Sequence, residues 1–287
     1  MKKGILFATV SLLIPVLALG QDTAQDTVPD RPERPAFESS YIIDNPSDVL
    51  YQKNTLEFMI NHRMGLINDS DGSNDLLGLY GAANIRIGLT YTIHDRLQIG
   101  FGTEKVEKYQ DFNWKVGLLR QTRSDRIPVN VTYYGNFVID ASTRNNFALD
   151  QHRYSFFNQL IVSRRFSRNF SMQVAPSVSH YNLVPQRMRN DMVALSVGGR
   201  YKISPQTAVM FDYTHPFVHH LDGVDLDIDP EPGLSIGVEF ATSGHAFQLF
   251  VSNYYGLIPQ KNVMFNQNSF FDGDILVGFN ITRKYNF

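Results

Sequence analysis

The chain closes on "GDILVGFNITRKYNF" (residues 273–287), and the reading of that stretch decides the fold. Ile275, Val277, Phe279, Ile281, Tyr285 and Phe287 put an apolar or aromatic side chain at every second position, with Arg283 as the one interruption. Leu276, Gly278, Asn280, Thr282, Lys284 and Asn286 fill the alternate positions and turn polar toward the end. A period of two marks a β-strand with two unlike faces. The last residues of a soluble domain usually fray. Here the comb runs to the terminus, so Phe287 still has a surface to face.

The same period recurs upstream from Asn54. Leu56, Phe58 and Ile60 stand against Glu57, Asn61 and Arg63. Ile85, Ile87, Leu89, Tyr91 and Ile93 stand against Asn84, Arg86, Gly88, Thr90 and Thr92. Phe112, Trp114, Val116 and Leu118 stand against Asp111, Asn113, Lys115 and Gly117. Residues 153–163 are the least clear stretch, with aromatic or aliphatic side chains on both faces. About twelve strands are expected in all.

The connections settle how such strands are arranged. After the even strands the breaks are short and polar: "HDR", "TRSDR", "SRN", "SPQ", "TSG". After the odd ones they are mostly longer, as in "INDSDGSNDLLGLYG" and "YGLIPQKNVMFNQNSFFDG". Short turns at one end, long loops at the other and an even strand count predict an all-β, up-and-down transmembrane barrel of the outer membrane. Hairpin connections make every neighbouring pair antiparallel. A soluble β-sandwich shares the alternation. Against it stand strands of roughly 9–11 residues and a polar face rich in Gly, Asn, Gln, Thr and Ser, which suit lipid outside and a wet lumen inside. Hydrocarbon offers no partner to an open strand edge, so the last strand must pair with the first. That requirement explains a terminal strand that is structural to its final residue.

The rest of the chain bounds the class. Residues 1–20, "MKKGILFATVSLLIPVLALG", combine Lys2 and Lys3, an apolar run and Ala18-Leu19-Gly20, the pattern of a secretory signal peptide. Position 21 is Gln, so a lipoprotein cysteine is absent there. Residues 21–53 read as a periplasmic linker, solvated over its first part, with a turn or short helix at 39–53 able to tuck beneath or plug the barrel. The barrel itself is expected over 54–287. The chain has no cysteine, which excludes disulfides and thiolate chemistry, and its net charge of −2 gives no basic field for nucleic acid. No cofactor is implied.

At "NHRMG", "ANIRIGLTYTIHDRLQIGFG" and "NWKVGLLRQ" the sequence resembles the β-barrel proteins of Bacteroidota grouped as DUF5777. The matching positions are His62, Arg63, Gly65, Asn84, Ile85, Arg86, Gly88, Asp95, Leu97, Ile99, Gly100, Gly102, Lys115 and Leu118 to Gln121. Met64 stands where the family has an aromatic residue, and Thr103-Glu104 follows the last glycine. The resemblance covers residues 54–135 and implies a fold and a location, with no activity. Tyr285 and Phe287 also resemble the C-terminal signature of bacterial outer-membrane proteins, which implies the barrel-assembly machinery and outer-membrane lipids as partners.

Candidate lumen residues are Arg86, Asp111, Lys115, Arg200, Lys202, Asp212 and Glu239, on the polar faces. They either tune an open pore or close a filled barrel by internal ion pairs, since about twelve strands is intermediate between the two cases. Asp69, Asp71 and Asp75, and Asp225, Asp227 and Asp229, stand at alternate loop positions as weak candidates for a hard cation. His152, Ser155, Ser179 and His180 fall near strand ends and offer the material for a lipid hydrolase at the rim, without a recognisable motif. The expected role is non-catalytic: a small-solute channel, or a structural scaffold in an envelope complex. The rim hydrolase is the competing class.

Overall fold

The computed structural model describes residues 30–67, 76–219 and 228–287. The compact unit spans Arg31–Phe287. Within it, and among the described residues, twelve antiparallel strands form a closed barrel in chain order. They are β1 (Thr55–Leu66), β2 (Asn84–His94), β3 (Leu97–Glu104), β4 (Tyr109–Leu119), β5 (Asn130–Asp140) and β6 (Tyr154–Arg165). The second half comprises β7 (Phe170–Tyr181), β8 (Asp191–Lys202), β9 (Thr207–Phe217), β10 (Gly233–Ala241), β11 (His245–Ser252) and β12 (Leu276–Asn286).

Burial is inverted relative to a soluble protein. On β1 the buried side chains include Glu57, Asn61 and Arg63, whereas Leu56, Phe58 and Ile60 lie on the outer face. The outer face carries large exposed apolar side chains around the circumference, among them Leu89, Ile99, Phe112, Val193 and Leu249. A continuous exposed apolar belt is unfavourable in water and is what hydrocarbon requires. No described helix is long and apolar enough to cross a membrane.

Closure runs along β1 and β12, with Thr55 opposite Asn286, Leu56 opposite Tyr285 and Ile60 opposite Ile281. The Phe287 amide donates to the Asn54 carbonyl at 3.1 Å, so the last residue is part of the seam. Arg283 lies with its guanidinium 4.8 Å from the Tyr285 ring centroid, a cation–π contact at the end of the apolar comb. Removing residues 285–287 deletes the final rungs of this seam. The expected result is loss of most of the compact, heat-modifiable form in unboiled gel samples, with Phe287→Ala retaining it because the backbone rung survives.

The barrel departs from the expected layout in two places, one at each end. The short break expected between β4 and β5 instead runs over residues 120–129. Its length has a use: the incoming chain pairs with it, Pro32 bridging Thr122, the Glu33 amide donating to the Gln121 carbonyl at 2.8 Å and the Arg123 amide to the Arg31 carbonyl at 3.0 Å. The loop after β11 holds a helix, α1 (Pro259–Phe265), too short for its period to show in sequence.

Candidate functional site

Polar inward positions on a barrel wall need partners, and here a chain segment supplies them. Residues 31–53 enter at the end where the short turns lie. They reverse at residues 41–46, where the Ile42 amide donates to the Asn45 carbonyl at 3.0 Å and the Ser47 amide to the Ser40 carbonyl at 2.9 Å. The chain then returns to the same end, where β1 begins. The solvated linker therefore stops short: Ala36 and Phe37 are buried, and with Ile42, Ile43 and Val49 they pack on Met210 and Phe250 of the wall. No helix forms over 39–53.

The tip of this hairpin-like segment is held by charge. The Arg63 guanidinium donates to the Asp44 carboxylate at 2.7 Å, with both side chains almost fully buried. The other Asp44 oxygen accepts from Ser235 at 2.5 Å and Ser252 at 3.1 Å. Asp212 accepts from the Asp44 amide at 3.0 Å, and from the Asn45 amide and side-chain amide, both at 2.8 Å. Lower down, the Lys115 ammonium donates to the Ser40 carbonyl at 2.7 Å, and Glu57 accepts from Ser40 and from the Tyr51 hydroxyl at 2.6 Å. Gln173 reaches the Pro46 carbonyl, Gln248 the Tyr41 carbonyl and Asn280 the Ile43 carbonyl. Burial pushes the Asp48 carboxyl above the usual carboxylate range, the Ser163 hydroxyl and the Lys115 charge pulling against it. Burial and the adjacent Glu57 charge hold the Tyr51 hydroxyl protonated well above its ordinary range.

The wall is also shaped for the segment. A Cβ on Gly198 would lie 2.5 Å from Ile42 Cδ1, and one on Gly117 would lie 2.7 Å from Leu50 Cδ1. A larger side chain at either position would push the tip of Ile42 or Leu50 aside while the segment is seated. A cavity of about 200 Å³ remains beside its root, between Asp48, Val49, Gly117 and Thr132.

From the opposite end the loop after β11 covers the interior. Met264 and Val263 of α1 pack on Phe157, Ile161, Ala175 and Ala194, and the Gln260 side-chain amide reaches Asn136 at 3.4 Å and Ser155 at 3.3 Å. This explains the two apolar faces of β6. Phe156 and Leu160 point out to lipid, while Phe157 and Ile161 point in beneath α1.

Of the seven lumen candidates, Arg86, Asp111, Lys115, Arg200, Asp212 and Glu239 are buried on the inner face. Arg86 and Asp111 pair with each other at 2.6 Å, and Arg200 pairs with Glu239 at 2.7 Å. Lys115 and Asp212 instead hold the segment. Lys202 lies near the turns, partly buried and 4.0 Å from Glu38. Glu57 and Arg63 belong with this set. They were legible as polar-face residues, but their partners in the segment were not.

Ser179 points inward and is buried, whereas His180 faces out, bonded to Asp191 at 2.8 Å and Asn182 at 2.9 Å. Neighbours on one strand face opposite sides, so these two cannot form a nucleophile–base pair. Ser155, beneath Gln260, and His152, in the turn before β6, line one cavity of about 220 Å³ together with Asp140. Asp69, Asp71, Asp75, Asp225 and Asp227 lie outside the described residues, as does the signal-peptide reading of 1–20. Among the described residues no three His, Asp or Glu side chains are grouped to hold a metal ion.

Solved structures similar to this barrel share its fold at low identity. The NanC porin superposes with a TM-score of 0.51 at 7% identity, covering 79% of this chain and 98% of its own. An outer membrane channel from Pseudomonas putida F1 gives 0.52 at 11% identity, covering 83% and 97%. No curated protein matches the chain by sequence. The model of the membrane-bound beta barrel domain family DUF5777 matches residues 37–285, a span that takes in both the wall and most of the segment seated within it, and the chain belongs to that family.

Proposed function

We propose that this protein is a non-catalytic channel of the outer membrane for small polar solutes, held closed by its own residues 31–53. The observation that carries this is the path of the segment. It enters and leaves by the same end, so it can withdraw as a unit without unthreading the barrel or breaking a strand pair. Apart from the apolar patch of Met210 and Phe250, its seat is polar, and the polar wall groups it would release can be rehydrated. A permanently filled barrel would more simply pair its wall residues with each other, as Arg86–Asp111 and Arg200–Glu239 do. Similar folds in the NanC porin and in the Pseudomonas channel support the reading. The opposed faces of Ser179 and His180 weigh against a rim hydrolase built on that pair.

Planar-bilayer recordings test it. The intact protein is expected to show rare, brief openings, and the protein lacking residues 31–53 a sustained ionic current. Equal currents in both would deny the segment its closing role. Because α1 covers the interior from the other end, a third variant also lacks residues 259–265, and silence in all three would remove the channel and leave a scaffold.

A further inference from the structure

The mouth through which the segment enters carries a cluster of positive charge that the channel reading does not use. Arg123, Arg164, Arg165 and Arg168 line one cavity of about 360 Å³ at the turn end, together with Glu33 and Asp125. Four arginines and two carboxylates line it, so its lining carries a net positive charge. We propose that this cluster binds a phosphate group, and that Glu33 of the inserted segment is its internal competitor. The proposal adds a ligand at the root of the segment, and the binding itself stands whether or not the lumen conducts.

Three features make the cluster a site. Arg165 is fixed rather than waving in solvent: its Nε donates to the Ser167 carbonyl and its Nη2 to the Arg168 carbonyl, both at 3.2 Å. Its backbone is tied to Gln121 by a reciprocal pair of bonds at 2.9 and 3.1 Å. The remaining nitrogen, Nη1, is 3.8 Å from the Glu33 carboxylate, within ion-pair range but too long for a hydrogen bond. A tetrahedral oxyanion could approach closer and accept from the planar fork. Second, Arg164 pairs with Asp125 at 2.5 Å and lies 5.5 Å from the Phe166 ring centroid, yet its Nε is buried without a hydrogen-bond partner. Third, the cavity sits at the level of an exposed aromatic row. Phe166 is 5.6 Å from Phe170, and Phe170 is 6.5 Å from Tyr201. Such rows mark the membrane interface, the depth at which lipid phosphates lie.

The phosphate can thus come from a lipid headgroup or from a dissolved solute, and the experiment separates the two. Purified full-length protein in neutral detergent is titrated with inorganic phosphate by calorimetry, and in parallel with phosphatidylglycerol, counting bound lipids by native mass spectrometry against diacylglycerol as the uncharged control. Saturable binding of phosphatidylglycerol alone assigns the site to lipid, and saturation by inorganic phosphate assigns it to a dissolved anion. In either case Arg165→Gln is expected to weaken binding roughly tenfold, the worth of one charge-assisted hydrogen bond. Glu33→Gln is expected to tighten it by several-fold, a change of opposite sign that a folding defect cannot produce. Binding of neither probe, or identical binding by the wild type and both variants, overturns the proposal.

Discussion

Asp44→Ala is expected to convert a barrel that opens rarely into a flickering channel. Asp44 is the one residue of the segment tip that neutralises a buried wall charge, Arg63, while accepting from Ser235 and Ser252. With the carboxylate gone and the segment still seated, the Arg63 guanidinium keeps only neutral oxygens, Asn280 Oδ1 at 3.1 Å and the His62 carbonyl at 3.0 Å, and the Phe250 ring 4.5 Å away. An uncompensated buried charge costs about 3–5 kcal/mol. That penalty applies to the seated state alone, because once the segment withdraws Arg63 is hydrated. A bias of about 3 kcal/mol shifts a two-state equilibrium by more than about a hundredfold, so open probability should rise by at least about tenfold even if much of the penalty is relieved by water. Adding Arg63→Ala should restore closure in part, since removing both members of a buried pair costs far less than removing one. An unchanged current in Asp44→Ala would show that the tip does not gate. A double variant as leaky as the single would show that the lost hydroxyl contacts, rather than the stranded charge, hold the tip.

The wall of this barrel is legible in its sequence because a membrane strand states both of its environments in alternate residues. Leu56, Phe58 and Ile60 specify lipid, Glu57, Asn61 and Arg63 specify the interior, and a slip of one residue would reverse every one of them. The terminal comb from Ile275 to Phe287 declares closure for the same reason. What occupies the interior is much less legible. Wall charges announce that they need partners without naming them. Arg63 meets a residue nineteen positions earlier, whereas Arg86 meets one twenty-five positions later in the wall itself. The one local hint is "IIDNPSD" (42–48), apolar residues followed by an Asn-Pro turn signal in a stretch that otherwise reads as linker. Residues 153–163 carry the second hint. Two apolar faces on one transmembrane strand imply an apolar cover on the inside, which α1 provides, but nothing in a seven-residue helix reveals that it will fold inward. Positive charge at the turns is visible as "LLRQTRSDR" and as "SRRFSRN", yet only the tertiary fold brings Arg123 and Arg165 to one cavity.

Asp111→Asn is expected to destabilise the barrel without opening it, and the contrast with Asp44 separates structure from gating. Arg86 on β2 reaches across β3 to Asp111 on β4, Nε donating at 2.9 Å and Nη2 at 2.6 Å, with both side chains almost fully buried. The reach is possible because β3 carries Gly102 beneath the pair. A Cβ there would lie 2.3 Å from Arg86 Nη2 and 2.5 Å from Asp111 Oδ1. The bridge therefore ties three strands, and its charges belong to the wall in the seated and the withdrawn state alike. Asn in place of Asp111 strands the Arg86 charge, at a cost of about 3–5 kcal/mol that falls on the folded barrel as a whole. Unfolding of the detergent-solubilised protein in guanidinium should accordingly move to lower denaturant, while the wild-type pattern of rare openings persists. Gly102→Val should reproduce the loss sterically, and the Arg86→Leu, Asp111→Leu pair should cost less than the sum of its single replacements. The division of wall charges into paired and segment-bound sets also bears on selectivity. Withdrawal of residues 31–53 frees Arg63, Lys115, Lys202, Glu57 and Asp212, three positive charges against two negative, while Arg86–Asp111 and Arg200–Glu239 stay paired. A lumen with so small an excess should discriminate only weakly, in favour of anions. A reversal potential near zero across a salt gradient in the protein lacking residues 31–53 is the expected reading. Strong selectivity of either sign would mean that one of the two wall pairs opens when the segment leaves.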